Sequence, residues 1–501
     1  MGRPCTEQRH SWEAFVELLV RPITSGRMSL VWRLFGLVLV LLWLQHMSED
    51  TIFTFAGKSA SSLDALAACG MLLLVAGPSP VVLLASAVIG GWFFADVLAQ
   101  VPTLHFTADE YAVQAGLPIV AVLVSGVHLA GVIRRRAPLD PIKLRAELDE
   151  LHARIFRIVI VTTLVFAALH KLNSDFFGPG SCAALANRLH AWWTLPFEVP
   201  TAGPAAVIAL ELLAAIALLS YPRVGILLVI YVMAGLGHIG PTAFASTCVV
   251  MSLAFLDRGD VVVARGLFAR RWGVFLAANV LVIAVSFSSY RAHLPWLKYG
   301  LLEALLVTIM CMVIGIGVAR LRDRSTLRRR LVPAAIRWSR RPTTLMPGLS
   351  SWLALILIVN GMTPYLGVKY RFSVAMLSNL RVDQQRWNSY VVPQWVRLRR
   401  HTPQVEVDWQ PEGQWAPSNP KKGHHYLGDG LFSGEALSEA LQDAGTRRAR
   451  GHLSVTYLGE RTEFELPVDM LAAMSWAEQR PSSVLWQEQL GPGDQPQTCV
   501  H

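Results

Sequence analysis

The sequence predicts an all-α polytopic membrane helix bundle of about 9–11 spans with a C-terminal extracytoplasmic α+β domain, and three observations lead there. The chain is far more apolar than a soluble protein: 53% of its 501 residues are hydrophobic, 16% are charged and the mean hydropathy is +0.41, where a soluble chain carries about a quarter charged residues. The apolar residues gather into separate runs of roughly 15 to 23, the length of helix that crosses about 30 Å of hydrocarbon. The 45 Lys and Arg residues, against 35 Asp and Glu, cluster between those runs.

Residues 1–28 form an N-terminal segment carrying Arg3, Arg9, Arg21 and Arg27. The first apolar run begins near Ser29 and lacks a small-residue cleavage site, so it reads as a first span rather than a signal peptide. The bundle extends over 29–366. Its runs are 29–46, 63–78, 80–100, 111–133, 155–171, 204–220, 224–239, 241–256, 273–289, 299–319 and 347–363. The pair flanking His238 is short and closely joined, which also fits a re-entrant arrangement. The amphipathic stretch 139–153 reads as a cytoplasmic helix lying between spans.

Three connections are strongly basic: Arg134, Arg135, Arg136, Lys143 and Arg145; Arg258, Arg265, Arg270 and Arg271; and the run from Arg320 through Arg328, Arg329 and Arg330 to Arg341. With the eleven runs above as spans, all three share the side of the N-terminus, and the positive-inside rule makes that side the cytoplasm. These basic residues set topology. They form neither a tail nor an aromatic-interleaved stripe, so nucleic acid is not an expected partner and membrane lipid is. By the same parity the loop 172–203 and the segment 370–501 lie outside. There VEVDW and LSVTYLGERTEFELPV alternate as strands around a turn, while GEALSEALQDAG and VDMLAAMSWAEQ read as helices.

Ionisable groups inside apolar runs are expensive in lipid and tend to face a cavity or a partner. Glu211 sits within VIALELLAAIALL, His238 closes YVMAGLGHIGPT, and Lys171 ends TLVFAALHKLNSDFF, directly after His170. Each has a plain structural reading. Lys171 can snorkel to an interface, His238 can bond a backbone carbonyl at its helix end, and Glu211 can bond a neighbouring helix. Against snorkelling stands the outward position of Lys171, followed by Asn173 and Asp175, which can shape a turn that holds it. The six cysteines show no CxxC pair or ligand spacing, and His424 and His425 in GHHYLGDG read as an exposed loop, so no metal is expected. Cys182 and Cys499 are the two cysteines outside the spans on the oxidising face, which makes them candidates for pairing. Trp192 and Trp193 read as interfacial anchors.

HKLNSDFFGPGSCAAL followed by RLHAWWTLPF resembles the lysine segment of the vitamin K-dependent gamma-glutamyl carboxylase family, within the wider horizontally transferred transmembrane (HTTM) domain family. GLGHIGPTAF resembles the family's Phe-His segment, and NGMTPYLGVKYRFSVAMLSNLRV the passage from the last span into the outer domain, as in bacterial members. The resemblance implies that Lys171, which falls on the second lysine of the family's pair, is a catalytic base, and that His170 stands on the first. It implies candidate roles for His170 and His238 in oxyanion stabilisation or proton relay, and for Glu211 in orienting a histidine. The family's first histidine motif is replaced by PTLHFTADEYAV, leaving His105 as the candidate there. The implied chemistry uses a reduced quinone, vitamin K or another quinol, whose proton is removed by an amine made basic through desolvation. A peptide or small acid at the outer face is then carboxylated. The outer segment is shorter than in the animal enzymes and the spans are more numerous. Two other classes fit the same bundle: a non-enzymatic membrane protein serving maturation, export or immunity of a secreted peptide, and a transporter with Glu211 on its pathway. The resemblance points to a bacterial inner membrane.

The orientation is tested by a reporter active only outside the cytoplasm fused after His501: a signal is expected, and silence overturns the outward assignment of both the C-terminal domain and Lys171.

Overall fold

Runs of Leu, Val, Ile and Ala this long exceed strand length and satisfy their backbone locally as helices. A computed structural model of the chain describes residues 26–48, 60–100, 108–134, 140–178, 202–239, 242–289, 296–322, 346–366, 380, 387–396, 405–412, 427, 430–432, 434–446, 448–480 and 489–490. All the apolar runs fall on helices: α1 (Arg27–Ser48), α2 (Ala60–Val75), α3 (Pro80–Gln100), α4 (Ala108–Arg134), α5 (Pro141–Lys171), α6 (Ala202–Ser220), α7 (Pro222–Ile239), α8 (Thr242–Ser252), α9 (Arg258–Ser289), α10 (Trp296–Arg322) and α11 (Met346–Met362). Among the described residues, four helices are long and apolar enough to cross a membrane, over Gly116–Arg134, Pro141–Lys171, Gly203–Ser220 and Glu303–Arg320. Shorter apolar helices cover Asp64–Val75, Pro80–Phe93, Pro222–Gly235, Phe244–Phe255 and Ser351–Met362.

The stretch 139–153 is not a separate helix. It runs without a break into 155–171 as α5, because Asp140 caps the start through Ile142 N and Lys143 N, Pro141 takes the first turn, and no glycine or later proline interrupts the helix. The basic stretch from Arg258 likewise continues into 273–289, with a kink at Arg271 where the charged part gives way to the apolar one. Asp257 and Asp260 cap the start of α9 reciprocally, Asp260 N to Asp257 Oδ1 at 2.7 Å and Asp257 N to Asp260 Oδ2 at 3.4 Å. Asp260 also accepts from Arg223 at 2.6 Å and Arg320 at 3.1 Å, tying α7, α9 and α10 together.

One continuous core joins α1 to α10, with Trp32, Phe35 and Phe156 stacked edge to face at its centre. The outside of these helices is also apolar: Val75, Leu84, Val88, Leu123, Ile216 and Val280 are all exposed. The C-terminal region is dressed the opposite way. Its strands β1 (Val405–Pro411), β2 (Gly430–Phe432), β3 (Gly451–Tyr457), β4 (Glu460–Leu466) and β5 (Gln489–Leu490) form an antiparallel sheet of order β4-β3-β1-β2-β5. Val405, Val407 and Trp409 face a core shared with α12 (Gly434–Thr446) and α13 (Met470–Glu478), while Glu406, Asp408 and Gln410 face outward. The two expected strand segments and both helices are present. β2 and β5 are additions, too short to show a period. The β3–β4 turn places Leu458 and Gly459 at positive φ, as a tight two-residue hairpin requires.

Helices α1 and α2 meet backbone to backbone at two glycines. A Cβ added at Gly36 would lie 2.5 Å from Gly70 O, and one at Gly70 would lie 2.6 Å from Gly36 O, so both positions exclude any side chain. Gly36→Val and Gly70→Val should each lower the thermal midpoint of the purified chain, by about 1–3 kcal/mol of stability or more. Gly126→Val, where a Cβ meets nothing within 4 Å, should not. Equal midpoints for all three overturn the packing.

Candidate functional site

Lys171 is the last residue of α5, and a side chain on a helix leans toward the helix N-terminus. Its Nζ follows that lean and turns back along α5, donating to Ala167 O at 3.2 Å. It does not reach past the helix end as a snorkelling amine would. Nζ also donates to Glu211 Oε1 at 2.8 Å and Oε2 at 3.2 Å. Lys171 is 5% exposed and Glu211 4%, so this is a buried ion pair bridging α5 and the middle of α6. The ammonium lies at the negative end of the α5 dipole, which favours it further. Ala168, Phe176 and Ile208, with Leu172, Phe177 and Val207 partly buried beside them, form an apolar cluster that meets the pair through Phe176. The Phe176 ring centre is 6.0 Å from Nζ.

The turn after Lys171 is built as expected. Asn173 Nδ2 donates to His170 O at 2.7 Å, capping a helix-end carbonyl, and Asn173 Oδ1 accepts from Phe176 N at 2.9 Å. Asp175 is buried and accepts from Ser174 Oγ at 3.0 Å. A segment from beyond α11 seals the turn: Ser174 N donates to Asn388 O at 3.0 Å, Tyr390 N to Leu172 O at 2.9 Å, and Asn388 Nδ2 to Asn173 Oδ1 at 3.3 Å.

His170 is buried as well, but one residue along a helix turns the side chain about 100°. Its Nε2 pairs with Gly361 O on α11 at 2.9 Å, and its ring lies among Phe166 and Tyr365. Gly361 is required there, since a Cβ on it would meet the Phe166 ring at 2.6 Å. The expected set is therefore divided. Lys171 and Glu211 meet, and Glu211 engages the lysine rather than a histidine. His170 faces a different helix. His238 lies on the last turn of α7, with its side chain outside the described residues. His105, Cys182, Cys499, Trp192, Trp193, His424 and His425 also lie outside them.

A second buried polar cluster occupies the other half of α5, about 32 Å along the helix from Lys171 to Glu150 at 1.5 Å per residue. Glu150 accepts from Arg27 at 3.0 Å and Arg157 at 3.1 Å. Arg27 also donates to Leu256 O at 3.2 Å and Arg157 to Ala254 O at 2.8 Å. Met28 N donates to Asp149 Oδ1 at 3.1 Å. Nearby, Trp32 Nε1 donates to His152 Nδ1 at 3.2 Å. An indole nitrogen only donates, so His152 carries its hydrogen on Nε2, facing Ser125 Oγ at 2.8 Å. Reading 139–153 as a cytoplasmic helix lying between spans missed this cluster. The available signal was the spacing of Glu150, Arg154 and Arg157 on one helical face.

Chemically, the Lys171–Glu211 pair holds one exchangeable proton between two groups within hydrogen-bond reach, against an apolar and aromatic wall. With the proton on Nζ it is an ion pair; with the proton on Glu211 it is a free amine beside a neutral acid. No protein-family model, characterised protein or solved structure matches this chain.

Removing one partner leaves the other charge buried alone, which costs about 3–5 kcal/mol. Lys171→Met and Glu211→Leu should each destabilise the chain by that order, while the double variant should recover most of the loss. Additive destabilisation in the double variant would show that the two side chains do not pair.

Proposed function

We propose that this chain is an integral membrane protein of the bacterial inner membrane, with its N-terminus in the cytoplasm and its C-terminal α+β domain outside. We read it as an enzyme resembling the vitamin K-dependent gamma-glutamyl carboxylases, and the buried Lys171–Glu211 pair is the observation that carries this reading. The apolar exterior of the helices, against the polar outer face of the sheet, supports membrane insertion. The segment of resemblance delivers a lysine, and that lysine turns inward to a carboxylate instead of outward to water.

The surroundings of Nζ suit a lipid-soluble quinol. Phe176, Phe177, Ile208 and Val207 form an apolar cluster, its two aromatic rings set edge to face, and the amine lies over the Phe176 ring. When bound, the quinol supplies the reducing equivalents for an oxygen-dependent step that generates a strong base. The residues of this chain handle the proton. Nζ of Lys171 accepts it from a donor hydroxyl, and Glu211 Oε1, 2.8 Å away, takes up the proton that the pair gains. The pair then carries one net positive charge beside the oxygen it has deprotonated, which stabilises negative charge there. Asn173 and Asn388 hold the turn that fixes Lys171 in place. A peptide or small acid arriving from outside is the acceptor in this reading.

One observation favours a second reading. All three hydrogens of the Lys171 ammonium already have acceptors within the protein, at Ala167 O and both Glu211 oxygens, as in a purely structural strut. That would suit a non-enzymatic membrane protein handling a secreted peptide; a transporter would instead lose transport on Glu211→Gln.

The test uses the full chain in lipid nanodiscs with a reduced naphthoquinone, following oxygen uptake and quinol loss. Lys171→Arg keeps the cation and the pair but removes a group that deprotonates at useful pH, so the rate should fall at least about 100-fold with the thermal midpoint almost unchanged. Lys171→Ala should regain part of the rate with added small amines. Wild-type rates in Lys171→Arg, or no quinol loss in the wild type, would leave Lys171 as a strut.

A further inference from the structure

The segment that seals the Lys171 turn has two sides. Toward the protein, Val392 joins Tyr365 and Leu380 in a small core to which Leu169, Met362, Trp387 and Val396 also contribute. Trp387 Nε1 donates to Val392 O at 2.7 Å, Val392 N donates to Ser389 Oγ at 3.2 Å, and Asn173 and Ser389 form an antiparallel bridge. The segment is thus fastened to the end of α5 by its backbone and packed on α5 and α11 by side chains of its own. Away from the protein, Tyr390 is 66% exposed, Val391 48% and Trp395 83%. These large side chains are not leftovers of a loose loop, because Asn388 before them and Val392 between them are buried and hydrogen-bonded. Tyr390 also continues the aromatic wall of the site, with its ring 6.3 Å from that of Phe177.

We propose that residues 389–396 are an interfacial membrane anchor, with Tyr390, Val391 and Trp395 lodged in the headgroup layer of the leaflet that the Lys171 end of α5 reaches. Three observations select lipid as the occupant. The segment is bridged to the C-terminal end of a helix long and apolar enough to cross a membrane. Its exposed side chains are of the kinds that settle at that depth, Trp and Tyr with an apolar body and a polar tip. The chain then continues as Arg397, Leu398, Arg399 and Arg400, whose cations match lipid phosphates. The anchor sets the depth of the turn, and so of the Lys171 amine, relative to the bilayer surface. This inference rests on the membrane reading but not on the chemistry assigned to Lys171.

The test replaces Trp395 by a small environment-sensitive fluorescent amino acid in the full chain, reconstituted in phosphatidylcholine and phosphatidylglycerol vesicles. Val391 is a second labelling position, and Leu458, 72% exposed on the hairpin turn, is the control. Lipids spin-labelled near the headgroup should quench positions 395 and 391 about two-fold or more above lipids labelled near the chain end. Leu458 should be quenched by aqueous iodide alone. Iodide quenching without lipid quenching at 395 and 391 overturns the anchor. Protection from both quenchers that vanishes on diluting protein in lipid would mean that a second copy covers the segment, which also overturns it. Alkaline carbonate extraction of the same vesicles separates the failures: a retained chain without lipid quenching sinks the anchor alone, and a released chain sinks the membrane reading with it.

Discussion

A charge held away from water must find its opposite, and the contact between Lys171 and Glu211 meets that demand. It decides which helix may face Lys171 at the end of α5: one presenting a carboxylate at that level, as α6 does from its middle. The neighbouring residue makes a different choice in the same place, His170 pairing with a backbone oxygen of α11. Two successive side chains, leaving α5 about 100° apart, therefore engage two different helices. The sealing turn follows from the same constraint, because a lysine at a helix terminus stays buried only if the terminus itself is covered. Asn173 from within and Asn388 from a distant segment provide that cover.

Much of the architecture was legible because it is local. A run of apolar residues about fifteen or more long fixes a helix wherever it packs, and each such run is one. The hairpin after Gly451 was legible for a similar reason, its alternation and its Leu-Gly turn lying within sixteen positions, 451 to 466. The Asn173 turn also announces itself in sequence, since an Asx side chain reaches only its own neighbourhood. What could not be read is who meets whom. Glu211 lies forty positions from Lys171 and its partner is set by how α5 and α6 pack. Gly361, which accepts the His170 contact, carries no side chain to notice. The join between 139–153 and the apolar half of α5 escaped because a change of composition resembles a boundary, although nothing in the backbone breaks there.

Helix α5 emerges as the element that the others share. Its N-terminal half buries Asp149, His152 and Arg157, with Glu150 half-buried, among α1, α4 and the Ala254–Leu256 turn. Its C-terminal end buries His170 and Lys171 among α6 and α11. Between them Ile160, Leu164 and Ala168 pack in apolar surroundings. Polar groups at both ends of an apolar stretch fix the helix along its axis as well as about it, since a shift by one turn would leave several of them without acceptors.

Electroneutrality at the Lys171 end has a further consequence on the proposed membrane reading. A lysine and a carboxylate in contact carry no net charge, so a voltage across the bilayer exerts no net force on them. Uptake of one proton changes that, since the pair becomes a monovalent cation lying inside the field. Carrying a full charge across the membrane is worth about 2.3 kcal/mol per 100 mV, and a site part of the way in feels the matching fraction. Nζ points back down its helix instead of out toward water, so that fraction is larger than for an amine at the surface. The protonation of this pair is thereby coupled to membrane potential by the direction in which one side chain is folded.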